Sequence, residues 1–251
     1  MYWVLIVVGS ILALAGILDV LATTLFFEGH GVIPRKSYRL MWSVGRPLFG
    51  ILPTPLSRYL HTLLIPVLAA ITPLVWILLE LFGFALIFFA GSRIGALVGS
   101  PGVASPKSLL DAFYISGVTL STLGYGDMTP VADAFRIVSF IEALTGFIII
   151  TLTISYVLSI NSAIRQQGHM VAVLTGLSEK RNDCRTIVAP FLRNPSTGGL
   201  DSLLQQLTSE TITYRQNLNH YPLLYYNTST NEQESVSNAF YLLGRLYATL
   251  R

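Results

Sequence analysis

Apolar residues run almost unbroken over three stretches of this chain. The first is roughly 3–27 (WVLIVVGSILALAGILDVLATTLFF), with Asp19 its one charge. The second is roughly 69–91, ending LLELFGFALIFFAG, with Glu80 its one charge. The third is roughly 137–160 (IVSFIEALTGFIIITLTISYVLSI), with Glu142 its one charge. Each meets the requirement of about 20 apolar residues for a helix crossing a hydrocarbon core about 30 Å thick. A fourth apolar stretch, 109–123, is too short to span. After residue 165 the pattern changes to apolar positions at helical spacing: Val171, Leu174 and Leu177; Leu203, Leu204 and Leu207; Phe240, Leu243 and Leu246 with Tyr247. Breaks fall at RNPSTGG (193–199) and NTSTNEQ (227–233), which predicts a small helical bundle.

Composition sharpens this picture. Of 251 residues 52% are hydrophobic and 12% charged, against about a quarter charged in a soluble domain. That excludes a disordered chain and disfavours a wholly soluble one. A cleaved signal peptide is disfavoured for the first stretch, which lacks a basic start and exceeds the usual ~7–15 apolar residues. The single cysteine, Cys184, excludes a disulfide framework and a multi-cysteine zinc site. A net charge of +3 is too small to argue for nucleic acid.

Basic residues set the orientation. Segment 28–60 holds Arg35, Lys36, Arg39, Arg46 and Arg58 against one acid, Glu28, and Arg165, Lys180, Arg181 and Arg185 follow the third span. Both segments are expected to be cytoplasmic. The N-terminus and the 92–136 connection are then outside and the C-terminus inside, in a plasma membrane or, for a bacterial host, the inner membrane. Arg35, Lys36 and Arg39 are read as a loop in contact with lipid headgroups. Pro47, Pro53, Pro55, Pro66 and Pro73 predict an interfacial approach with short helical pieces over 45–73, then a bend near Pro73 or an extension of the second helix below the membrane.

The expected organisation is therefore a transmembrane helix (1–28), a cytoplasmic or interfacial linker (29–68), a two-helix module (69–165) and a cytoplasmic helical domain (166–251). The fold class is an all-α membrane protein.

Between spans two and three stands SLLDAFYISGVTLSTLGYGDMTPVADAFR. Ser108 and Asp111 form a capping-box pair, which starts a helix of about 14 residues ending near Ser121. That helix crosses half a membrane. A turn of Thr122, Leu123, Gly124, Tyr125, Gly126 and Asp127 follows. Irregular backbone at membrane depth is tolerated where it is buried or lines water. Glycines at alternate positions allow successive carbonyls to point one way, and a column of carbonyls can replace a cation's hydration shell.

This stretch resembles the pore loop of potassium channels, whose filter reads Thr-Val/Ile-Gly-Tyr-Gly-Asp. The resemblance covers roughly 75–165, and Leu123 is its one departure within the filter. It implies a re-entrant pore helix, carbonyl ligands for K⁺ from Thr122, Leu123, Gly124 and Tyr125, and a filter completed by Gly126. It implies support from Ser121, from Asp127 braced by Tyr114, and from Glu142. Relatives often carry Trp where Tyr114 stands, and some carry a second pore-helix acid where this chain has Val118. Gly146 falls at the spacing of the inner-helix hinge; close helix packing is the other reading. One pore loop per chain implies a homotetramer. The permeant ion is K⁺, with no organic cofactor.

The intramembrane acids are candidates by default. Glu142 is expected either to keep a proton or to bond a neighbouring hydroxyl such as Ser139. Glu80 bonds an inner-helix partner or faces a crevice. Asp19 contacts Arg or His residues of the interfacial segment. No run of basic residues within a span offers a voltage sensor. His30, His61, His169 and His220 show no metal-ligand spacing, and no nucleophile–base pair suggests an enzyme. Tyr214, Tyr221, Tyr225, Tyr226, Tyr241 and Tyr247 are core contacts or an aromatic pocket for a regulatory ligand or subunit. The expected function is passive, potassium-selective conduction. A weakly selective cation channel and a non-conducting receptor on the same scaffold are the rivals. A potassium uptake transporter usually carries four such loops in one chain.

Overall fold

A computed structural model of the chain describes residues 2–25, 31–51, 54–178, 186–189, 197–226 and 235–250. Glu28, His30, Lys180, Arg181, Cys184, Arg185 and the break at 227–233 lie outside these residues, as do Pro53 and the side chains of Arg46, Arg58 and His61.

Among the described residues the longer helices are α1 (Tyr2–Leu25), α2 (Val32–Ile51), α3 (Thr54–Arg93), α4 (Leu109–Leu120), α5 (Asp133–Leu177), α6 (Thr197–His220) and α7 (Val236–Leu250). Two three-residue strands, β1 (Leu97–Gly99) and β2 (Met128–Pro130), pair antiparallel with Val98 opposite Thr129. The protein is a helical membrane protein. Among the described residues three helices are long and apolar enough to cross a membrane: Tyr2–Leu25, Pro66–Arg93 within α3, and Asp133–Leu177. α4 is too short.

The chain divides into two compact units, one of Met1–Ser37 and Ala70–Tyr156, the other of Tyr38–Ala69 and Val157–Arg251. In the first unit α1 packs on α3 through small residues. A Cβ built on Gly9 would collide with the Gly83 carbonyl, and one built on Gly83 would come within 2.8 Å of the Gly9 carbonyl. Backbones this close gain dispersion contacts, which drive helix association where water supplies no hydrophobic force. Ala13, Phe84, Phe88, Ala112, Ile115 and Phe135 form the core where α1, α3, α4 and α5 meet.

Two expectations for segment 29–73 are corrected. Arg35, Lys36 and Arg39 lie in a helix, α2, and not in a loop. The short pieces expected over 45–73 are replaced by α2 and a continuous 40-residue α3 that contains Pro55, Pro66 and Pro73. Proline removes one backbone donor and crowds the preceding turn, but neighbouring helices in a membrane protein can re-satisfy the freed groups. At about 1.5 Å per residue, the 40-residue α3 is far longer than a bilayer core about 30 Å thick.

In the second unit the continuation of α5 packs with α6 and α7. Met170, Val171, Leu174, Leu203, Leu207, Ala239 and Leu246 form its core. The α7 stripe is shifted from the expected one: Ala239, Leu242 and Leu246 are buried, whereas Phe240 and Tyr247 are exposed. α6 begins at Thr197, inside the expected break.

The re-entrant pore loop as candidate functional site

Local chemistry starts and stops the pore helix. Ser108 Oγ accepts from the Asp111 backbone N–H at 3.0 Å, and Asp111 Oδ2 accepts from the Ser108 and Lys107 N–H groups at 2.8 and 2.9 Å. Those bonds, first the one from the Ser108 backbone, hold the Asp111 carboxyl below the usual range. At the other end Leu123 N–H donates to the Val118 carbonyl at 3.0 Å and Thr122 N–H to the Thr119 carbonyl at 2.9 Å. This is a Schellman closure, whose C′ residue is usually glycine in the left-handed region. Here that residue is Thr122, at φ 60°. A β-branched residue there is an outlier, held at a cost of about 1–2 kcal/mol. The Ser121 hydroxyl donates to the Gly117 carbonyl at 2.6 Å, finishing the helix end.

From Thr122 the backbone alternates. Thr122, Gly124 and Gly126 have positive φ (60°, 59° and 75°), and Leu123 and Tyr125 do not. Alternation between the two helical hands turns successive peptide groups the same way, so like groups gather on one side of the strand. Among the described residues no hydrogen bond is made to the carbonyls of residues 122 to 125. The next two carbonyls are tied down: Ser100 Oγ donates to Gly126 O at 2.8 Å and Ser100 N–H to Asp127 O at 2.7 Å. β1 and β2 brace the returning strand just beyond.

The Tyr114 hydroxyl, on α4, donates to Asp127 Oδ2 at 2.7 Å. That bond is the chief cause pushing the Tyr114 phenol up. Glu142 is buried on α5, and its Oε1 lies 2.5 Å from Ser116 Oγ of the pore helix. Ser139, the hydroxyl expected to serve it, has no partner. Gly146 abuts the Leu120 carbonyl, where a Cβ would collide, so in this conformation it is a packing glycine inside an unbroken α5. Glu80 is fully buried against α1, its carboxyl beside the Ile17 backbone N–H without a well-formed hydrogen bond.

Asp19 does not meet Arg or His side chains. Its Oδ1 accepts from the Val32 and Ile33 N–H groups at 2.6 and 3.0 Å, and its Oδ2 accepts from Trp76 Nε1 at 2.8 Å. It thus caps α2 from another helix. Trp76 meets Tyr156 of α5 edge to face, ring centres 5.6 Å apart. Sequence reasoning missed Ser100, Ser116, Trp76 and Tyr156, because none stands in a local motif.

In the C-terminal unit His169 lies 3.3 Å from Glu210. Of the tyrosines, Tyr214 packs against the Phe240 ring, and Tyr225, Tyr241 and Tyr247 are exposed. An apolar groove of about 690 Å³ runs between α6 and α7, bordered by Leu207, Ile212, Leu243 and Tyr247.

Comparison with known proteins agrees with this geometry. Residues 74–163 match the profile of a family described as ion channel. The chain is 30% identical over 231 residues to "Uncharacterized membrane protein YdjJ" of Bacillus subtilis (strain 168), spanning 92% of this chain and 64% of that protein. It is 41% identical over 78 residues to "Protein LctB" of Bacillus caldotenax and 37% over 83 residues to "Protein LctB" of Geobacillus stearothermophilus. These two matches span 58% and 61% of those proteins, and each covers 29% of this chain. No solved structure matches. Residues 74–163, which hold α4, the turn after it and much of the two long apolar helices on either side, are thus similar to a family described as ion channel.

Proposed function

We propose that four copies of this chain surround one axis and form a potassium-selective channel. The observation that carries this reading is the alternating backbone of residues 122–126, with the carbonyls of 122 to 125 free of internal partners. Four such strands supply rings of oxygens that replace the hydration shell of K⁺, and ions pass by repulsion between adjacent sites. α4 aims its carbonyl end, with its partial negative charge, at the ion's inner approach. Ser121 and Thr122 form the inner entrance. Tyr114, Asp127 and Glu142 hold the filter from behind.

The side chains of Leu123 and Tyr125, 60% and 66% exposed in the single chain, pack against neighbouring subunits in this assembly. So does part of the apolar face of α5 that includes Phe140 and Phe147. Head-to-tail contacts between two different patches close into a ring when the rotation completes a turn. The N-terminus lies outside and the C-terminal helices lie in the cytoplasm, where the groove between α6 and α7 can receive a regulatory ligand or subunit. α2 places Arg35, Lys36 and Arg39, all exposed, at the lipid headgroups.

The experiment is cation flux in liposomes holding the purified chain, with K⁺ or Na⁺ as the only permeant cation. K⁺ flux that barium blocks and Gly124→Asp abolishes is the expected result. Equal Na⁺ flux overturns the selectivity. Silence in a chain truncated after residue 165 that still forms tetramers overturns conduction.

A further inference from the structure

Two buried carboxyl groups lie within the long apolar helices α3 and α5. Glu80 on α3 and Glu142 on α5 are both 0% exposed. The Glu80 carboxyl lies beside the Ile17 backbone N–H of α1 without a well-formed hydrogen bond, and Glu142 Oε2 has no partner. Glu80 Oε1 lies under α1, where a methyl on Gly16 would come within 2.7 Å of it. Glu80 also lines a cavity of about 250 Å³ shared with Ala13 and Ile17 of α1 and Ile141 and Thr145 of α5.

The bond to the pore helix raises a question of proton count. Ser116 Oγ lies 2.5 Å from Glu142 Oε1 and 3.1 Å from the carbonyl of Leu81, the residue after Glu80. A serine hydroxyl has one proton to give. Both contacts are hydrogen bonds at once when Ser116 donates to Leu81 and accepts from a Glu142 that carries a proton.

Among the described residues no cation pairs with either carboxyl. Asp19 of α1 is bound by Trp76, Val32 and Ile33. On α4, Asp111 closes the capping box and Tyr114 bonds Asp127. Asp133 and Arg136 of α5 pair with each other in solvent, and Arg93 of α3 lies over the Phe89 ring. Two bare carboxylates in a dry helix bundle would repel each other and lack solvation.

We propose that Glu80 and Glu142 form a buried proton-binding site whose occupancy clamps the pore helix to the outer and inner helices. With the protons in place, the chain Glu142–Ser116–Leu81 ties α5, α4 and α3 together behind the filter. When the protons leave to solvent, like charges stand beside α4 and the clamp loosens. The site itself stands on geometry alone; its effect on flux rests on the conduction reading.

Infrared spectroscopy of the full chain in lipid vesicles tests the site without reference to conduction. At neutral pH we expect the carbonyl stretch of a protonated carboxylic acid, reduced in E80Q, reduced in E142Q and lost in the double variant. Absence of that band in the unmodified chain overturns the proposal, as does a band that neither substitution alters. S116A, which keeps both acids, is expected to shift the band. K⁺ flux against external pH is the second readout. Flux is expected to fall on the alkaline side, with its midpoint moved to lower pH in E80Q because the neighbouring charge is gone. Identical profiles in the unmodified chain and E80Q overturn the role in conduction. Silent vesicles that keep the acid band would sink the channel reading and leave the proton site standing.

Discussion

Asp19 and Trp76, 57 residues apart in the chain, share a 2.8 Å hydrogen bond between two membrane-spanning helices. The other oxygen of the same carboxylate caps the first turn of α2. One acid therefore sets where α2 begins and how α1 sits against α3. Trp76 passes the contact to Tyr156 on the inner helix.

Asp19→Ala leaves the indole N–H and two backbone N–H groups without their acceptor. Unmade buried hydrogen bonds cost about 1–3 kcal/mol each, so a loss of at least ~2 kcal/mol is expected in unfolding from detergent. Asp19→Asn, which keeps an acceptor oxygen, is expected to lose less. Equal stability of the alanine variant and the unmodified chain would show that the three bonds contribute nothing.

Tyr114→Phe removes the hydroxyl that braces Asp127 and leaves the ring. Steady K⁺ flux is expected to drop severalfold while tetramers still form. Tyr114→Trp, whose indole N–H can donate to the same carboxylate, is expected to recover part of it. Unchanged flux in the phenylalanine variant removes the brace from the mechanism.

Gly124 has φ 59° and open space around an added Cβ. The penalty in Gly124→Ala is thus conformational and amounts to about 1–2 kcal/mol. The chain is expected to fold and assemble, and K⁺ flux to fall sharply because the carbonyl turn is no longer at its minimum. The converse change, Thr122→Gly, relaxes the strained helix end. It is expected to raise thermal stability by a fraction of that cost and to admit Na⁺. Retained selectivity in Thr122→Gly would show that its hydroxyl and the strain are both dispensable.

Acid should loosen the start of the pore helix. Asp111 titrates below its usual value of about 3.9 because the Ser108 and Lys107 N–H groups bond its ionised form. A depressed folded value means the stabilisation is complete above the unfolded value and is lost as pH falls through the folded one. Hydrogen exchange at residues 109–111 is expected to accelerate below about pH 4, relative to Asp111→Asn, which has already lost the charge. A variant that shows the same acid dependence would exclude the capping box as its source.

The three long apolar helices, the shorter α4 and the turn through Gly124 and Gly126 were legible in the residues because each rests on a local rule. A hydrocarbon core asks for an apolar run, a capping box needs four neighbouring positions, and a carbonyl turn needs glycine at Gly124 and Gly126. Segment 29–73 was not legible for the opposite reason. Its prolines argue locally for breaks, whereas α2 is capped by Asp19 and α3 continues through Pro66 and Pro73. The same limit hid the partner of Glu142: Ser139 is near in sequence, and Ser116 is near in space. Gly146 showed its contact with Leu120 only after α4 and α5 had packed.

By itself the order of residues determined three helices long and apolar enough to cross a membrane and a glycine turn after a shorter fourth one, since solvation and backbone sterics act on neighbours. Only the tertiary structure decided which groups serve the buried acids and which glycines are contacts. A hydrogen bond between two helices depends on the angle and rotation at which they pack, and no local pattern encodes either.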